Sequence, residues 1–133
     1  MGSLFFVLTL IITLDPNKFS PAIIVQLFLA IPMLYVSSLA YSKVGYWEKT
    51  YDWDILGWFT NTIGNLFVIN AIGLLALKFS QTLASLYFAL FCVLMTIYTF
   101  INIRQNKKIL YEKIFKLVFL LAIVFFGGIL FIL

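Results

Sequence analysis

Apolar runs as long as a bilayer is thick recur along this chain, and they restrict its fold more than any other feature. A helix rises ~1.5 Å per residue and a hydrocarbon core is ~30 Å thick, so one span takes about 20 mostly apolar residues. Residues 59–77, 83–103 and 114–133 meet that requirement without interruption, and residues 21–42 meet it as well. A folded globule of 133 residues has too little interior to hide them all. With 64% hydrophobic residues and 11% charged ones, the chain is also too apolar and too aromatic to stay disordered. The expected fold is all-α: a polytopic transmembrane helical bundle of four to five spans with a short interfacial helix, forming one integral membrane domain over residues 1–133.

Prolines and turn residues divide the first third. Pro21 suits a first helical turn, where its missing N–H costs nothing. Pro32 falls mid-span and predicts a kink, which membranes tolerate when neighbours re-satisfy the freed carbonyl. Residues 1–14 reach only about 21 Å as a helix. They lack the basic start and the small-residue cleavage site of a secretory signal, so a short span is preferred over a cleaved or half-inserted segment. Asp15, Pro16, Asn17 and Lys18 read as the turn that follows.

Nine Lys and Arg against five Asp and Glu give a net charge of +4. In a chain this apolar the excess is topological information, and no nucleic-acid contact is expected from it. With five spans, Lys43, Lys49, Arg104, Lys107, Lys108, Lys113 and Lys116 lie on one side, and only Lys18 and Lys78 on the other. That bias places the larger group in the cytoplasm of a cell with an inner or plasma membrane, the amino terminus with it, and the carboxyl terminus outside.

The densest local pattern is YWEKTYDWDILGW, residues 46–58. Trp47, Tyr51, Ile55 and Trp58 recur at steps of four, four and three, which puts them on one helical face, while Glu48, Lys49 and Asp52 fall away from it. Aromatic rings with a polar edge favour the headgroup zone, so an interfacial helix is expected. Glu48, Asp52 and Asp54 also form an acidic rim on an otherwise basic side, which suits a cytosolic protein partner better than anionic lipid.

Two spans carry polar or small residues in register. In residues 59–77, Asn61 and Asn65 share a face with Gly57 and Gly64, whereas Asn70 and Gly73 lie elsewhere on the helix. Amides in hydrocarbon are costly unless paired, so these predict a seam with another helix or subunit, or the lining of a pore. In residues 83–103, Ser85, Ala89, Cys92, Thr96 and Thr99 step by four, three, four and three, a stripe small enough for close helix approach. The hydroxyls have a cheaper alternative in bonding back to their own helix. Cys92, the single cysteine, reads as a packing residue. Gly127 and Gly128 predict either a close approach or a kink in the last span.

The remaining basic segment, with Arg104, Lys107, Lys108, Lys113 and Lys116 around Glu112, is first a topogenic loop whose side chains reach for the interface. It also suits anionic headgroups or a soluble protein. There is no histidine, and the five carboxylates all fall in connecting segments, so no metal site, cofactor or catalytic group is expected. The chain reads as a non-enzymatic membrane protein, a homo-oligomeric anchor or sensor subunit that docks a cytosolic partner through its short loops. Alternatives are an oligomeric channel or small-solute pore lined by the polar face of residues 59–77, and an immunity protein against a membrane-active toxin.

Overall fold

The computed structural model describes Phe6, Thr9, residues 21–44 and residues 51–132. The expectations for a span at 1–14, for the turn at 15–18 and for Trp47, Glu48 and Lys49 therefore lie outside the described residues, except that Phe6 and Thr9 are helical. Everything long is helix, and no strand occurs among the described residues. The order is α1 (Pro21–Val44), α2 (Tyr51–Leu77), α3 (Gln81–Gln105), a 3-10 turn (Lys107–Ile109), α4 (Leu110–Val124), a π-turn (Phe125–Ile129) and a closing helical turn (Leu130–Ile132). Four helical stretches are long and apolar enough to cross a membrane: Pro21–Val44, Tyr51–Leu77, Gln81–Gln105 and Lys107–Ile132. The fold is thus all-α, as the hydropathy requires.

Local chemistry explains where the helices begin and end. Pro21 opens α1, and α1 runs through Pro32 to Lys43 in its last turn. Ser80 caps α3 from an extended backbone, its Oγ accepting from the Leu83 N–H at 3.0 Å. At the far end of α3 the Asn106 N–H donates to the Asn102 carbonyl at 3.1 Å, while the Asn106 side chain accepts from the Lys108 N–H at 3.2 Å. One asparagine therefore closes α3 and opens the 3-10 turn, by the short-range bonding for which its side chain is suited.

By its internal contacts the chain divides into two units, Met1–Ile72 and Gly73–Leu133, which part within α2. In the first, α1 and α2 run antiparallel: Tyr41 lies over Gly57, Leu34 and Met33 over Gly64, and Gln26 bonds to Asn70. Buried positions Ile23, Ala30 and Ser37 of α1 are seven apart, as are Gly57, Gly64 and Ala71 of α2. This heptad spacing is that of helices meeting along a narrow seam. In the second unit, α3 and α4 form an antiparallel hairpin joined by the 3-10 turn. Its open end is tied by the Gln81 Nε2–H donating to the Ile132 carbonyl at 3.2 Å. Ala84, Phe88 and Thr99 of α3 and Val124 and Gly128 of the last span are buried.

Candidate functional site

Polar groups inside the first unit sit on a seam of small residues. Lipid tails are as apolar as leucine, so apolar burial gives lipid-immersed helices no reason to associate; close packing and hydrogen bonds must hold them. The seam provides both. A Cβ at Gly64 would lie 2.8 Å from Leu34 Cγ, and one at Gly57 would lie 2.9 Å from Tyr41 Cε1, so at both glycines α1 comes close enough that an added Cβ would make a side chain shift. The Ser37 hydroxyl donates across the seam to the Gly57 carbonyl at 3.2 Å. Thr60, also buried, bonds back to Leu56 at 2.7 Å.

Asn70 has no exposed surface, and its Nδ2 donates to Gln26 Oε1 at 3.0 Å. The Gln26 Nε2 in turn donates to the Ala22 carbonyl at 3.2 Å. One hydrogen bond thereby joins two amides inside one helix pair, the kind of contact that lowers the cost of holding such groups away from water. Neither was singled out in this role by the sequence pattern, which set Asn70 apart from the Asn61 face. The available signal is that Gln26 is the only amide among residues 21–42.

Asn61 and Asn65 stand differently. Asn65 is exposed and Asn61 half-buried, and the Asn65 Nδ2 donates to both the carbonyl and the Oδ1 of Asn61, at 2.9 and 3.0 Å. Both bonds stay within α2. They leave the Asn65 carbonyl and the Asn61 amide hydrogens for a group outside the helix. Gly57 and Gly64 are turned to α1, while the two asparagines lie along the edge of that face.

The small stripe of α3 is mostly outward. Ser85, Ala89 and Thr96 are exposed, Cys92 is half-buried, and only Thr99 is buried. The Thr96 hydroxyl donates to the Cys92 carbonyl at 2.8 Å, the self-bonding that hydroxyls in apolar helices adopt. Gly73, at the end of α2, is covered by the ring of Phe88, so closely that no Cβ fits there.

Charged and aromatic residues gather at helix ends. Residues 51–58 are the opening turns of α2, with Tyr51 (75% exposed), Asp52, Trp53, Asp54 and Ile55 outward and Trp58 half-buried. A helix of 27 residues is ~40 Å long, about 10 Å more than a hydrocarbon core. The surplus matches these first two turns. The two aspartates also lie at the positive end of the helix, where carboxylates are favoured. At the α3–α4 turn, Arg104, Lys107 and Lys108 are exposed and Lys113 half-buried, while Lys116 pairs with Glu112 at 2.6 Å.

No group of three His, Cys, Asp or Glu close enough to hold a metal ion occurs among the described residues. What the arrangement defines is an all-α protein of two helical units, with helices long and apolar enough for a bilayer. Searches against family models, characterised proteins and solved structures give no match to this chain.

Proposed function

We propose that the protein is a non-enzymatic integral membrane anchor that self-associates within the bilayer and holds a cytosolic partner at its surface. The observation that carries this reading is the outward Asn61–Asn65 pair. Gln26 and Asn70 bond to one another inside the first unit, whereas Asn65 presents a carbonyl on the exposed side of a helix able to span. A second copy offers that carbonyl a donor, and hydrocarbon offers none. The exposed Ser85, Ala89 and Thr96 of α3 add a surface on which a neighbouring helix can approach closely.

The partner contact proposed is the acidic and aromatic opening of α2, where Asp52 and Asp54 flank the rings of Tyr51 and Trp53. Sidedness follows from charge: the seven Lys and Arg at residues 43, 49 and 104–116 stay cytoplasmic, with Lys78 on the far side. The test is self-association of the full chain in vesicles, read by energy transfer between two fluorophore-labelled populations. Asn61→Leu with Asn65→Leu is expected to weaken association by at least threefold, for amide contacts of about 0.6–2 kcal/mol each. Unchanged transfer overturns the seam. The same exposed amide supports a second reading, an oligomeric pore lined by this face. Conductance in planar bilayers that changes on Asn65→Leu favours the pore, and a silent but intact oligomer favours the anchor.

A further inference from the structure

The α3–α4 turn has a charge and apolar layout that the self-association reading does not use. Arg104, Lys107 and Lys108 are exposed within five residues of one another, and Lys113 follows on α4. The one carboxylate nearby in sequence, Glu112, bonds to Lys116 at 2.6 Å and also feels the charge of Lys113, which leaves Arg104, Lys107 and Lys108 outside any ion pair among the described residues. The turn is also held in shape, because Asn106 bonds to Asn102 on one side and to Lys108 on the other. Below this charged rim the outward residues are large and apolar. Phe100, four residues before Arg104, is 65% exposed; Tyr111 is 87% and Phe115 62% exposed on successive turns of α4. Unopposed cations at the rim with bare rings one or two turns deeper are complementary to a molecule that carries an anion at one end and hydrocarbon at the other. A soluble acidic protein matches the cations and leaves the rings uncovered.

We propose that the α3–α4 turn binds anionic phospholipids, with Arg104, Lys107 and Lys108 around the headgroup phosphate and the acyl chains laid along Phe100, Tyr111 and Phe115. The proposal needs the helices to span a bilayer, but it needs neither self-association nor a cytosolic partner. Zwitterionic lipid carries the same phosphate with its own cation beside it, so the turn discriminates between lipids by net charge.

The full chain in mild non-ionic detergent is titrated with phosphatidylglycerol or with phosphatidylcholine of identical chains, and bound lipid is counted by native mass spectrometry. Phosphatidylglycerol is expected to bind at least tenfold more tightly. The preference should fall by about fivefold for each base removed, or ~1 kcal/mol per cation near the surface, in Lys107→Gln, Lys108→Gln and the triple variant with Arg104→Gln. Lys78→Gln, at the α2–α3 connection, should leave it intact. Tyr111→Ser tests the apolar half: lipid binding weakens while the bases remain. Equal binding of the two lipids, or a preference that survives the triple variant, overturns the proposal. Displacement of phosphatidylglycerol by equimolar glycerol phosphate would assign the turn to free phosphate, and displacement by a polyglutamate peptide would assign it to an acidic protein; either result overturns the lipid assignment.

Discussion

Gly64 and Gly57 look alike in the sequence and differ in what faces them. The group nearest a Cβ on Gly64 is the branch point of Leu34, which moves only by changing its rotamer about Cα–Cβ, and Met33 Cβ at 3.3 Å cannot move without α1. At Gly57 the obstacle is the Tyr41 ring, which is 42% exposed and has space to swing. Gly64→Ala is therefore expected to lower the stability of the folded protein by about 1–3 kcal/mol, the usual cost of overpacking, and Gly57→Ala by clearly less. Reversible unfolding in mixed micelles measures both, and equal losses would contradict the seam geometry. The Gln26–Asn70 bond makes a second prediction. Replacing both residues with Leu should cost less than the two single replacements summed, with a coupling of about 1 kcal/mol in a double-mutant cycle. Additive losses would mean that the amides do not act on one another.

At the scale of the elements, most of the helices were legible because a bilayer imposes a length and a composition that no other environment does. The apolar runs 21–42, 59–77, 83–103 and 114–133 became Pro21–Val44, Tyr51–Leu77, Gln81–Gln105 and Lys107–Ile132, each longer than its run. The excess carries charged residues that break the apolar run without breaking the helix, as at Asp52 and Asp54, and hydropathy alone ends a helix too early there. The faces were less legible. Asn70 and Asn61 read alike as amides, and only the position of Gln26 on α1 shows which of them is matched inside the unit. At Gly127 and Gly128 the sequence left a kink and a close approach open; the backbone there forms a wide π-turn with Gly128 buried, a form that has no sequence signature of its own. Cys92 tests the depth of α3 directly. It lies near the middle of that helix and is half-buried, so a membrane-permeant maleimide should label it in intact vesicles while a sulfonated one should not. Equal labelling by both would remove α3 from the hydrocarbon.

For the molecule as a whole, each of the two helical units satisfies some of its polar groups internally and leaves others outward. Gln26, Ser37 and Asn70 are bonded between helices, Thr60 and Thr96 bond to their own helices, and Asn65 is left facing away from its unit. The proposed assembly in the membrane rests on these outward polar and small residues. The mass of the complex in lipid nanodiscs tests this most directly. More than one 15.3 kDa chain per disc at low protein-to-disc ratio is the predicted result, falling toward one chain with Asn61→Leu and Asn65→Leu. A single chain per disc for the unaltered protein, across the same range of ratios, would contradict it.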